Sequence, residues 1–144
     1  MLARRACVVA SIAGLAASLP AHAQTIPWLT ATSGNWSDTT KWAGGNVPNA
    51  AGEIAVIGIA GTYTVTQNVN GLTLDAIAVT NPSATLNLGG VTTTLNLPTA
   101  LTNAGLVVAN VGTSTFDGLI SNLSGGTIRV PNATTLILKT NVTN

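Results

Sequence analysis

Short β-forming runs recur along this 144-residue chain at intervals near twenty residues. A chain built this way buries its apolar side chains only by stacking each repeat on the next. The clearest beat is an asparagine: Leu101-Thr102-Asn103, then Ile120-Ser121-Asn122, then Lys139-Thr140-Asn141, each Asn 19 residues after the last. A glycine (Gly105, then Gly125-Gly126) and a β-rich run (Leu106-Val107-Val108, then Thr127-Ile128-Arg129-Val130) follow the first two. A looser copy, Val79-Thr80-Asn81 with Thr85-Leu86-Asn87-Leu88 behind it, lies 22 residues ahead of Asn103.

A shorter echo runs inside the repeats. Thr85-Leu86-Asn87-Leu88 returns nine residues later as Thr94-Leu95-Asn96-Leu97, and Thr127-Ile128-Arg129-Val130 returns after eight as Thr135-Leu136-Ile137-Leu138. These pairs read as successive sides of one coil, with Gly89-Gly90, Pro98, Gly125-Gly126 and Pro131-Asn132 at the turns. The expected fold is all-β, a parallel β-helix (β-solenoid) with coils of about 19–22 residues and sheet spacing of about 4.8 Å. An antiparallel sandwich, with strands every 8–12 residues or so, is the competing arrangement. The paired 19-residue intervals favour the solenoid.

Period-2 alternation assigns the faces. Tyr63 and Val65 share one face, and Thr62, Thr64 and Thr66 share the other. Leu86, Leu88, Leu95, Leu97, Ile128, Val130, Leu136 and Leu138 are expected to point inward. Thr occurs 23 times, all after residue 24, beside abundant Val, Leu, Ile, Asn and Gly. The first group favours strands and the last two the turns between them.

Residues 1–23 read as a signal peptide: Arg4-Arg5, an apolar stretch from Val8 to Leu19, and Ala21-His22-Ala23 before an expected cleavage at Gln24. The stretch is shorter than the roughly 20 residues a membrane span needs. Cleavage would remove the only Cys and the only His. What remains holds Lys41, Arg129 and Lys139 against Asp38, Glu53, Asp75 and Asp117, a net charge of −1. No basic patch for nucleic acid is expected, nor a membrane span in the mature segment. With no cysteine left, packing and backbone ladders must hold the fold. Residues 24–50 carry Trp28, Trp36 and Trp42 and read as an N-terminal capping segment. Residues 51–144 read as solenoid repeats, truncated at the C-terminus.

Ser33-Gly34-Asn35-Trp36-Ser37-Asp38, Lys41-Trp42, Gly44-Gly45 and Pro48 resemble the opening segment of exported bacterial β-helix proteins. Two such groups are autotransporter passengers with autotransporter-associated β-strand repeats and PEP-CTERM-type sorted surface proteins. The resemblance implies export to the surface of a Gram-negative bacterium and an adhesin-like or structural scaffold role. It implies surface glycans or extracellular matrix as partners. No translocator barrel or Pro-Glu-Pro tail is present, and the chain stops at Asn144 soon after an Asn beat. A fragment of a longer protein is expected, with self-association through an uncapped solenoid end.

The candidate sites are few. Exposed indoles stack on sugars, so Trp28, Trp36 and Trp42 form a possible carbohydrate platform; closing the N-terminal end of the stack is their structural role. Asn81, Asn103, Asn122 and Asn141 belong in turns, bonding nearby backbone and stacking between coils. A glycosidase or lyase needs acids converging on one face. Asp38, Glu53, Asp75 and Asp117 lie in different coils and meet only if stacking brings them together. No Ca²⁺-type Gly-Gly-x-Gly-x-Asp run, phosphate loop or nucleophile motif occurs. The chain is therefore read as a non-enzymatic passenger without a catalytic residue, metal or cofactor. The alternative is the N-terminal part of an extracellular polysaccharide-degrading β-helix enzyme.

Overall fold

The computed structural model describes residues 23–89 and 93–144. The apolar leader, the expected Ala-His-Ala cleavage motif up to His22, and Cys7 lie outside the described residues.

Among the described residues fifteen strands wind into a three-sided parallel β-solenoid of about four turns. One face stacks β1 (Gln24–Pro27), β3 (Glu53–Ile57), β6 (Ala76–Val79), β9 (Ala100–Asn103), β12 (Ile120–Asn122) and β15 (Val142–Thr143). A second stacks β2 (Gly34–Asn35), β4 (Tyr63–Thr66), β7 (Ala84–Leu88), β10 (Leu106–Ala109) and β13 (Thr127–Arg129). The third stacks β5 (Leu72–Thr73), β8 (Thr93–Asn96), β11 (Thr113–Asp117) and β14 (Thr135–Leu138). All pairings between the described strands are parallel, an isolated antiparallel bridge from Trp28 to Trp42 lying outside them, which excludes the antiparallel sandwich. Each coil hands its backbone N–H and C=O groups to the coils before and after it, so the ladders satisfy the chain without covalent staples.

Alternation sets what goes inside. On the first face Ile26, Ala55, Ile77, Leu101 and Ile120 stack in one buried column. Val65, Leu86 and Val107 form a second column, and Leu72, Leu95 and Phe116 a third. Leu88 and Leu97 are also fully buried. The last coil departs from the expectation. Ile128 and Leu136 are only partly buried, while Val130 and Leu138 are 46% and 39% exposed. Leu138 is in register with buried Phe116, so its direction is inward, but β14 is the terminal strand of its sheet among the described residues and leaves it uncovered.

The 19-residue beat is only half a register. Asn103 and Asn122 are true stacking partners. Asn141 is not the next: Ser121 pairs with Thr143, a step of 22, and Asn141 lies ahead of β15 at a different corner. The step along the first face is 22, 24, 19 and 22, because corner lengths differ. On the second face it is constant at 21, through Thr64, Thr85, Leu106 and Thr127.

Glycine follows the asparagine for a steric reason. A Cβ on Gly105 would stand 2.5 Å from the Ala84 carbonyl oxygen, and one on Gly126 would stand 2.3 Å from that of Asn103. Coils approach so closely at this corner that a side chain cannot be accommodated.

Residues 24–50 are continuous with the stack rather than set apart from it. β1 and β2 are the first rungs of two sheets, and the first coil then closes through a single 3₁₀ turn (Thr39–Lys41) and an irregular turn at Ala43–Gly45, where Gly44 has φ +69, instead of a third strand. Register advances 29 residues from Gln24 to Glu53, against about 22 elsewhere. That longer path carries Trp36 and Trp42 back over the start of the core.

Candidate functional site

The indoles of Trp28, Trp36 and Trp42 are buried to 2%, 0% and 0% exposure. Trp42 meets Trp28 edge-on at 4.9 Å and Trp36 at 4.8 Å between centroids. Each ring N–H finds a carbonyl: Trp36 Nε1 donates to Pro48 at 2.8 Å, Trp42 Nε1 to Trp36 at 2.7 Å, and Trp28 Nε1 to Thr32 at 3.3 Å. The expectation of a sugar-stacking platform is therefore corrected, because no indole face is open to a ligand. Three large apolar bodies beside a core that would otherwise end in water gain more from burial than from exposure.

The four carboxylates each hold a piece of their own chain. Asp38 Oδ1 accepts the Thr40 hydroxyl at 2.6 Å and the Thr40 N–H at 2.9 Å, which holds its carboxyl below the usual range. Glu53 Oε2 accepts the N–H groups of Asn49 at 2.7 Å and Ala50 at 3.0 Å, and Oε1 accepts the Asn46 amide. Asp75 Oδ1 accepts the Gly52 N–H at 2.9 Å. Asp117 pairs with Lys139 at 3.0 Å, in a half-exposed contact.

Stacking does bring two of them together. The Asp75 N–H donates to the Glu53 carbonyl at 2.9 Å, so these residues occupy the same position on consecutive coils. Their side chains grip one loop, 46–52, from two rungs. Asp38 and Asp117 belong to other parts of the stack. Sequence spacing did not reveal this pair, because the 22-residue separation becomes adjacency only once the register is known.

The asparagines build a corner. Asn81 Oδ1 accepts the Ser83 N–H at 3.0 Å and Asn103 Oδ1 the Gly105 N–H at 3.1 Å, the same two-residue turn on successive coils. Asn81 also donates to the carbonyls of Ile59 and Gly61, both at 2.7 Å, on the preceding coil. Asn103 is wholly buried and Asn141 exposed, so the expected ladder reduces to Asn103 and Asn122.

Among the described residues no pocket opens and no group of His, Cys, Asp or Glu could hold a metal ion. No helix among them is long and apolar enough to cross a membrane. Compared with family models, curated proteins and solved structures, the chain matches none.

Proposed function

We propose that this chain is the exported, surface-displayed solenoid of a passenger-type protein, acting as an adhesin-like or structural scaffold. The observation that carries this reading is the commitment of its reactive side chains to architecture. Its three indoles fill the core, and its four carboxylates bind loop N–H groups, a cap or a neighbouring lysine. What it turns outward is a ribbed surface rich in Thr and Asn, suited to weak repeated hydrogen bonds with surface glycans or matrix polymers.

The rival reading, part of a polysaccharide-degrading enzyme, draws on the Glu53–Asp75 column. Against it, both carboxylates are already engaged by their own loop, Glu53 accepting the N–H groups of Asn49 and Ala50 and Asp75 that of Gly52.

The test is expression of the whole chain in a Gram-negative host, with intact-mass analysis and protease added outside the cells. The scaffold reading expects a product beginning at Gln24 that external protease can reach. Recovery of an uncleaved chain with Met1 in the cytosol overturns export. Depolymerisation of a polysaccharide that disappears with Glu53→Gln or Asp75→Asn overturns the scaffold in favour of the enzyme.

A further inference from the structure

Asn70-Gly71 is the one Asn-Gly pair in the chain, and it lies at the corner between β4 and β5. Both residues are exposed, and neither belongs to a strand. Gly71 has φ +64, and apart from its own and its two chain neighbours' atoms no described heavy atom lies within 4 Å of where its Cβ would be. Among the described residues neither one finds a hydrogen-bond partner, so there the Gly71 N–H is held by no ladder and the Asn70 amide by no side chain or carbonyl. The contrast two residues earlier is sharp. The Asn68 amide donates to Ser37 Oγ at 2.9 Å, its Oδ1 accepts the Ser37 N–H at 3.1 Å, and branched Val69 follows.

We propose that Asn70 is a site of spontaneous backbone-assisted deamidation, in which the chain itself supplies the nucleophile. The Gly71 nitrogen, losing its proton to solvent base, attacks Cγ of Asn70. The new C–N bond closes a five-membered succinimide as the Cγ–Nδ2 bond breaks, and the amide leaves as ammonia with a proton from solvent. Water then opens the ring at either carbonyl, giving aspartate or, by cleavage on the main-chain side, isoaspartate. No oxidant, metal or second protein is required. Three features favour the step: a following residue without a Cβ to obstruct attack, an amide free of hydrogen bonds, and solvent access for base and water. The product places a new negative charge at the corner, and in the isoaspartate form an extra main-chain methylene, directly ahead of β5, the edge strand of its sheet.

The experiment ages the full chain at mildly alkaline pH, native and in denaturant, and follows charge variants by ion exchange and peptide mapping. An isoaspartyl methyltransferase serves as the probe for the isomerised product. The expected result is one dominant acidic form mapping to Asn70 and methylated by the probe enzyme. It should form at a similar rate native and denatured, and be absent from Asn70→Gln, in which the favourable five-membered ring cannot close. Asn68 should stay an amide in the native chain. Accumulation of the same acidic form in Asn70→Gln overturns the assignment. A native rate several-fold below the denatured rate overturns the claim that this corner leaves the pair unprotected.

Discussion

The side-chain amide of Asn103 donates to Oδ1 of Asn122 across 2.8 Å, and Asn122 passes its own amide to the Gly126 carbonyl, also at 2.8 Å. Asn103 further donates to the Thr127 carbonyl at 3.2 Å and accepts the Gly105 N–H at 3.1 Å. One buried side chain thus ties the turn of its own coil to the turn of the next. Removing it strands several polar groups away from water. Asn103→Ala should cost about 1–3 kcal/mol for those groups, with a further loss from the cavity. Asn141→Ala, at an exposed residue, should fall within about 0.5 kcal/mol of the parent. Equal shifts in the denaturant midpoint for the two variants would show that the buried corner carries no special weight.

Interior and exterior faces should separate clearly in mid-stack and less so at the last coil. Leu86→Ala should lose roughly 2–5 kcal/mol, and Thr85→Ala well under 1. Leu136 is only partly buried, so its truncation should cost less than that of Leu86. A loss at Thr85 matching that at Leu86 would contradict the inward assignment of the leucines.

The tryptophan cluster predicts a spectroscopic result. All three indoles should emit as buried chromophores and resist a water-soluble quencher, and added soluble glycans should leave the emission unchanged. Trp42→Ala should cost about 3–5 kcal/mol and red-shift the remaining emission as the first coil opens. Protection from quenching by an oligosaccharide, with no loss of stability on Trp42→Ala, would restore the sugar platform.

Alkaline pH should weaken the fold through Tyr63, the chain's one tyrosine. Burial raises its phenol above the ordinary value, while the nearby Asn81 side chain and Ile59 backbone moderate the rise. The unfolded phenol loses its proton near pH 10 or so, when the folded one still holds it. Stability from this residue is therefore complete below that pH and declines as pH climbs through the folded pKa. Tyr63→Phe should blunt that part of the decline in melting temperature. An ordinary phenolate titration in the native chain, or the same alkaline loss in Tyr63→Phe, would contradict the linkage.

Residues 24–144 produced alone should associate through their last coil. Val130, Ile137, Leu138 and Val142 are exposed there, and β13, β14 and β15 are terminal rungs of their sheets. Open strand edges beside apolar side chains are a template for another chain. Sedimentation across a concentration range is the measurement, with Leu138→Lys as comparison. A monomer at every concentration would oppose the expectation.

Much of this architecture could be read from alternation alone, because inward Leu86, Leu88, Leu95 and Leu97 differ in kind from the Thr and Asn between them. The register could not. Asparagine marks a corner chemistry, and corners vary in length, so an Asn-to-Asn interval reports a stacking step only where intervening turns match. That is true from Asn103 to Asn122 and fails from Asn122 to Asn141. The constant column of Thr64, Thr85, Leu106 and Thr127 was hidden because its residues face outward, where packing does not restrict identity. The roles of Glu53 and Asp75 were also hidden. Apart from the Asn46 amide, their partners are backbone N–H groups of a loop, which leave no trace in residue type.

The parallel ladders that join each coil only to its neighbours also determine how the molecule answers a mechanical load. Inter-strand hydrogen bonds run along the solenoid axis, so a pull between β1 and β15 opens a rung's bonds in succession instead of shearing them all together. Force should release one coil of about 22 residues at a time, starting from the last coil with its thinly covered Ile128 and Leu136. The tryptophan-filled end should yield last. Under tension such a chain behaves as an extensible tether that lengthens in steps and rewinds from a surviving core.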